Sequence, residues 1–289
     1  MTKAAIGLIS SAASENLLKD RRMEAVATPW GEARVLLGTI AGRDVATILR
    51  YGETLTVPSH KINFKANIWA LRLLGVESII SQNAIGSVNP AIRPGDVVIP
   101  DDFLDRTKAR PQSLFDESDC WVRVDFTDPF CPRLRGNLIR AANAHSNRII
   151  EHGVFVCAEG PRFETPAEIR SYQRDGGDIV GTPLIPEVVF AREAEMCFAS
   201  ISPVINFGAG MAPAVVHVGP GSMNDAYYTK GLHDLVESII ADTVAEITHE
   251  RTCNCGAALK GGFHGVPPKW LQLLSPSYAE ASATGPLEE

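Results

Sequence analysis

Pro-Ser-His-Lys-Ile-Asn-Phe-Lys-Ala-Asn-Ile-Trp-Ala-Leu at 58–71, followed closely by Ser-Ile-Ile-Ser-Gln at 78–82 and Asn-Ala-Ile-Gly-Ser at 83–87, sets the class of architecture. Ile62, Ala66, Trp69, Ala70 and Leu73 recur at helical spacing, so the pattern predicts a helix over Lys61–Leu74. Ser78–Gln82 is a short apolar run of the kind that fills a strand buried on both faces. A helix leading directly into a buried strand is the repeating unit of an α/β sheet.

The same alternation extends in both directions. Ala5–Ile9, Arg34–Ile40, Val45–Leu49, Asp96–Ile99, Gly153–Ala158, Ile179–Val180 and Cys197–Ile205 are rich in Val and Ile and bounded by Gly, Pro or Asp, which predicts strands. Pro132–Asn147 and Pro166–Arg174 open at proline and read as helices, and Asp225–Glu250 as a long amphipathic one. No internal repeat is visible. The expectation is one α/β catalytic domain over residues 1–251. Residues 252–289 carry Gly-Gly, Pro-Pro, Ser-Pro-Ser and an acidic end, so they read as a tail, partly disordered or docked through Trp270, Leu271, Leu273 and Leu274.

Composition narrows the function classes. A hydrophobic fraction of 45% and a charged fraction of 21% suit a soluble globular protein. A net charge of −7 without a Lys/Arg cluster argues against nucleic acid as a partner. No apolar run reaches membrane-spanning length, and the N-terminus lacks a signal-peptide pattern, so the expected location is the cytoplasm, away from membranes. Six cysteines there are expected to be reduced thiols. Cys253-Asn254-Cys255 reads as a surface pair without catalytic duty. Its alternatives are a redox pair or half a metal site, but no neighbouring cysteine pair or His cluster in the sequence completes one, and no metal is expected.

Further blocks add a family signal. Ile-Arg-Pro-Gly-Asp-Val-Val-Ile-Pro-Asp-Asp-Phe-Leu-Asp-Arg-Thr at 92–107, Glu-Gly-Pro-Arg-Phe-Glu-Thr at 159–165 and Pro-Glu-Val-Val-Phe-Ala-Arg-Glu-Ala at 186–194, together with the opening stretch, resemble the purine nucleoside phosphorylase family. The branch is that of methylthioadenosine and methylthioinosine phosphorylases, and the resemblance runs from about Ile6 to Ile247. It implies a mixed, partly barrel-like central sheet flanked by helices, a homotrimer with active sites near subunit boundaries, and cleavage of the purine C1′–N9 bond. No cofactor is implied beyond phosphate as co-substrate, and some thermostable members carry a similar Cys-x-Cys near the C-terminus.

On the base side the resemblance places Phe163 against the purine and Asn206 at the base-reading position. A neutral amide both accepts from N1–H or N7–H and donates to O6 or N7, which suits a 6-oxopurine. An Asp found two residues further on in adenine-specific members is Gly208 here. Thr182 and His60 fall on the sugar side. Arg123 stands where many relatives use a His to close the 5′ end across a subunit boundary, which favours a polar or anionic 5′ group or, alternatively, is a surface Arg paired with Asp125 or Asp119. Glu164 and Glu187 are candidate bases should water be the nucleophile.

The phosphate side departs from the family. A glycine-rich turn with a hydroxyl is replaced by Ile9-Ser10-Ser11-Ala12-Ala13-Ser14, with Ala12 at the hydroxyl position. An Arg-His-Gly triplet becomes Arg50-Tyr51-Gly52, a second His becomes Leu55, and a Met-Thr pair becomes Thr182-Pro183. Pro183 offers neither N–H nor hydroxyl. Asn83-Ala84 keeps a family variant, and Arg50 stays as one cation facing the acceptor pocket. These changes tilt the expectation towards water over phosphate as acceptor, on a purine nucleoside or 5′-modified derivative. The rivals are a conventional phosphorylase and a non-catalytic purine-binding subunit; a redox protein built on Cys253 and Cys255 is more remote.

Overall fold

The computed structural model describes residues 4–11, 13–14, 16–145, 148–211, 231–248 and 250–272. In chain order the elements are β1 (Ile6–Ser10), β2 (Lys19–Thr28), β3 (Gly31–Ile40), β4 (Arg43–Leu49), α1 (Phe64–Leu73), β5 (Ser78–Gln82), β6 (Ile85–Ser87) and β7 (Val97–Val98). There follow β8 (Asp102–Arg106), β9 (Cys120–Val122), α2 (Pro132–Asn143), β10 (Ile149–Ile150), β11 (Val154–Ala158), α3 (Pro166–Arg174), β12 (Ile179–Gly181) and α4 (Leu184–Glu193). The last are β13 (Cys197–Phe207), α5 (Leu232–Glu246), β14 (Phe263–Gly265) and α6 (Lys269–Gln272).

The main sheet runs in the order β2-β3-β4-β1-β5-β13-β6-β12-β11-β8, with β7 and β10 branching from β13. β4, β1, β5 and the first half of β13 are parallel, whereas β2, β3 and β4 form an antiparallel meander. β1 and β5 are buried along their whole length, as expected of apolar strands covered on both faces. The architecture is therefore mixed α/β, a large sheet flanked by helices.

Among the elements that the sequence pattern does not mark, β2 and α4 are the longest. β2 (Lys-Asp-Arg-Arg-Met-Glu-Ala-Val-Ala-Thr) is mostly exposed at the sheet edge, so no apolar alternation marks it. α4 is buried nearly all round and carries Pro186, which removes the amphipathic stripe that would announce a helix. By contrast α3 spans Pro166–Arg174 as the pattern predicts. Thr165 and Glu168 form a reciprocal capping box there, and Pro166 occupies the first helical position.

β13 organises the site. Its first residues pair with β5, its middle with β7, and its end with β6. Between Val204 and Asn206 it advances two residues against one on β6, a bulge that re-aims the side chain of Asn206.

Residues 252–272 join the body. β14 pairs with β9, Leu259 and Leu271 are fully buried, and Trp270 meets Trp30 and Trp69 edge-on at centroid distances of 5.0 and 4.6 Å. Leu273 and Leu274 lie outside the described residues. Among the described residues no helix is long and apolar enough to cross a membrane.

Candidate active site

A cavity of about 330 Å³ opens where β4, β5, β12 and β13 end and where the loop after β11 crosses them. It brings together Tyr51, Ala84, Gly86, Phe163, Glu164, Thr182 and Asn206. Ligand sites at the carboxyl ends of sheet strands are the general pattern of α/β folds.

The Phe163 loop is held at both ends. Arg162 donates to both carboxylate oxygens of Glu168 at 2.8 and 2.7 Å, and Glu168 also accepts from the Thr165 N–H at 2.8 Å. The hydrogen bonds from Arg162 pull the Glu168 carboxyl down to about 2. At the other end Gly160 has φ +66°, and a Cβ there would lie 2.5 Å from Ser59 Oγ. Only glycine lets Ser59 approach closely enough to donate to the Glu159 carbonyl.

Asn206 donates from Nδ2 to the Phe207 carbonyl at 2.8 Å, leaving Oδ1 as the acceptor at the cavity wall. Gly86 makes room for it, since an added Cβ would come within 3.1 Å of Nδ2. The Tyr51 and Thr182 hydroxyls are 3.4 Å apart. Burial pushes the Glu164 carboxyl above its ordinary range, so it holds its proton more firmly than a solvated glutamate. Gly208 does not line the cavity. A Cβ there would lie 2.8 Å from the Ile169 Cδ1 and 3.1 Å from the Ser87 carbonyl oxygen, so a side chain at this position needs Ile169 to shift.

Arg50 departs from the expectation of a cation facing the pocket. It is buried behind the wall, and Nε and Nη2 form a fork on Glu187 at 2.8 and 2.9 Å. Nη1 donates to the Gln82 carbonyl at 2.8 Å and Nη2 to Ser81 Oγ at 2.9 Å. Four of the five guanidinium N–H groups are thereby engaged. Glu187 is correspondingly an ion-pair partner and not an exposed base. The turn that would cradle an anion is engaged too: the Ser14 N–H donates to Glu237 Oε1 at 3.0 Å, and its hydroxyl donates to the other oxygen of that carboxylate. Ala12 lies outside the described residues.

The remaining predicted residues are dispersed. Asn83 is buried and donates to Ser200 Oγ at 2.8 Å. Pro183 is buried at the start of α4. His60 is exposed, and its neighbour Ser59 lines the cavity instead. Arg123 is exposed, stacked over the Trp121 ring at 4.8 Å, and borders a separate cavity with residues of the C-terminal segment.

Arg110, which no motif marks, is the main residue missed. It is buried, donates to the carbonyls of Thr182, Ile185, Ala158 and Glu159, and lies 5.1 Å over the Phe64 ring. It clamps the strand end bearing Thr182 to the loop leading to Phe163. A lone Arg between Ala109 and Pro111 carries no signal of that task.

Comparison with known proteins identifies the family. Residues 6–248 match the profile of the Phosphorylase superfamily. The chain is similar to a 6-oxopurine nucleoside phosphorylase of Pyrococcus furiosus, 43% identical over 250 residues that cover 84% of this chain and 92% of the relative. It is similar to a probable S-methyl-5′-thioinosine phosphorylase of Methanothermobacter thermautotrophicus, 40% identical and covering 89% of each. Among solved structures it resembles a methylthioadenosine phosphorylase from an antarctic soil metagenomic library, with TM-score 0.84, 28% identity, and coverage of 96% of this chain and 99% of the other. A methylthioadenosine phosphorylase from Schistosoma mansoni in complex with adenine gives TM-score 0.78 at 29% identity, covering 87% and 93%.

Proposed function

The chain belongs to the Phosphorylase superfamily, and from that premise we propose that it cleaves the N-glycosidic bond of a 6-oxopurine nucleoside with water in place of phosphate. The observation that carries the choice of acceptor is the Arg50–Glu187 fork, which commits the Nε–Nη2 edge of that guanidinium to a buried carboxylate. The Ser14–Glu237 contact supports it, because it ties the end of the altered turn to a carboxylate.

In this reading the purine lies against Phe163, and Asn206 Oδ1 accepts a hydrogen bond from N7–H or N1–H. As the C1′–N9 bond breaks, its electron pair passes to the purine, which takes up a proton at N7 from solvent. Asn206 therefore holds the departing base more strongly than the bound substrate, which is what lowers the barrier. A water beneath C1′ bonds to that carbon and gives a proton to Glu164, whose raised affinity for protons suits a general base. Thr182 and Tyr51 face the sugar hydroxyls, and the assembly is taken to be a homotrimer in which exposed His60 and Arg123 meet a neighbouring subunit.

Phosphorolysis is the second reading, favoured by relatives at 43% and 40% identity whose names are those of phosphorylases. Base release from inosine, guanosine, adenosine, their methylthio analogues and 5′-monophosphates, each with and without phosphate, separates the two. Equal release in both conditions, with free sugar as product, supports hydrolysis. Strict dependence on phosphate, with a sugar 1-phosphate as product, replaces it by phosphorolysis. Stabilisation by purine without turnover of any nucleoside overturns the enzyme reading.

A further inference from the structure

Cys253 and Cys255, expected as a surface pair, are not alone. Cys131 precedes α2, Cys197 opens β13, and the fold brings both to the Cys-Asn-Cys segment. The four sulfur atoms all lie within 4.8 Å of one another, three of the residues are buried, and Cys253 is half-buried. Cys120 and Cys157 lie outside the group. Intervals of 66 and 56 residues separate Cys131, Cys197 and Cys253, so no local motif announces the cluster.

We propose that Cys131, Cys197, Cys253 and Cys255 form a structural tetrathiolate site for one zinc ion. Zinc–sulfur bonds of about 2.3 Å in a tetrahedron place the sulfurs about 3.8 Å apart. The Cys197–Cys253 separation of 3.4 Å and the 4.8 Å limit on all pairs bracket that value. A disulfide would need about 2.05 Å. An iron–sulfur cluster, with several irons between its ligands, would need the thiolates farther apart than this group allows.

The surroundings suit a charged centre. On binding, each thiol releases its proton to solvent as its sulfur bonds the ion, so four thiolates and one divalent cation leave two net negative charges. Arg133 donates from Nη2 to Cys197 Sγ at 3.6 Å. Cys131 sits at the N-terminus of α2, a helix of 12 residues, whose first-turn N–H groups favour negative charge. Half-exposed Cys253 gives the ion a way in. Ligands from the body and from the C-terminal segment share one centre, so the ion pins residues 252–272 to β13 and α2. Such closed four-cysteine sites hold structure and do no chemistry.

The test is metal analysis of the full-length protein purified under reducing conditions, with thiol titration and zinc release into a chromogenic chelator. The expected result is one zinc per chain, released when the cluster thiols are modified, lost in Cys131→Ser and Cys255→Ser, and kept in Cys120→Ala. Should the serine variants fail to fold, cobalt(II) loading of the unmutated protein decides, through the absorption of a tetrahedral tetrathiolate. A metal-free protein that takes up neither zinc nor cobalt with its thiols reduced overturns the proposal. So does a protein purified without reductant in which mass mapping finds these cysteines paired as disulfides and metal-free.

Discussion

Glu187→Gln puts the Arg50–Glu187 pair to the test. The substitution keeps the side-chain volume but removes the negative charge facing a buried guanidinium. Glu187 accepts from Nε and Nη2 at 2.8 and 2.9 Å, and from Ser81 Oγ at 3.1 Å. A glutamine can accept at one oxygen only, and its amide N–H groups would confront one of the guanidinium donors. Both side chains are at most 3% exposed, so water cannot compensate. Breaking such a pair at one end costs about 3–5 kcal/mol. At about 2–4 °C per kcal/mol for a chain of this size, the melting temperature should fall by about 6–20 °C, read by circular dichroism. The double change Arg50→Met with Glu187→Leu should recover part of that loss, because it leaves no charge buried. The released guanidinium should also gain affinity for phosphate, so phosphate should raise the melting temperature of Glu187→Gln but not of the unmutated protein. A loss under about 1 kcal/mol, or an equal phosphate response in both proteins, would refute the view that Glu187 keeps Arg50 from the acceptor.

Three further outcomes are expected. Asn206→Asp should lower kcat/KM for inosine and guanosine by about 100-fold or more and shift relative preference towards adenosine, since the carboxylate loses the Nδ2 bond to the Phe207 carbonyl that orients the acceptor and sets a negative charge near O6; unchanged ratios across the three nucleosides would remove Asn206 from base reading. Gly160→Ala meets both a positive φ and a contact at 2.5 Å with Ser59 Oγ, so urea unfolding should show a loss of about 1–3 kcal/mol, and an unaltered midpoint would contradict the close approach. Burial lifts the Glu193 carboxyl from 4.5 to about 7 even though it accepts from the Leu114 N–H at 2.6 Å. The folded state thus binds the proton more tightly than the unfolded chain, and stability should fall by about 3 kcal/mol as pH rises from about 4.5 through about 7. Glu193→Gln should flatten that part of the profile; an identical slope in the variant would assign the dependence to other groups.

How much was legible follows from where each signal resides. α3 could be read residue by residue because its cap, its proline and its apolar stripe are all local. β2 and α4 were invisible for opposite reasons: β2 is held by edge pairing although its side chains are polar, and α4 is too evenly buried to show a period. Within the site, Phe163, Glu164, Thr182 and Asn206 meet at one cavity because each sits at a strand end or in the loop beside one, where sequence blocks and geometry coincide. The state of Arg50 could not be read, because its partner is 137 residues away and nothing near either residue marks the pairing. The same holds for Arg110, whose hydrogen bonds go to backbone carbonyls that exist as a set only after the strands assemble. His60 and Arg123 show the converse, residues picked by motif position that do not line the cavity of their own chain.

The docked C-terminal segment carries one more consequence. Trp30, Trp69 and Trp270 meet where it lands, and Trp121 stacks on His264 at 4.0 Å across the β9–β14 pair. These are all four tryptophans of the chain. Indole emission shifts to the red when the ring becomes hydrated, so the intrinsic fluorescence of this protein is almost wholly a signal from one seam. Detachment of residues 252–272 can therefore be followed in real time, without a label.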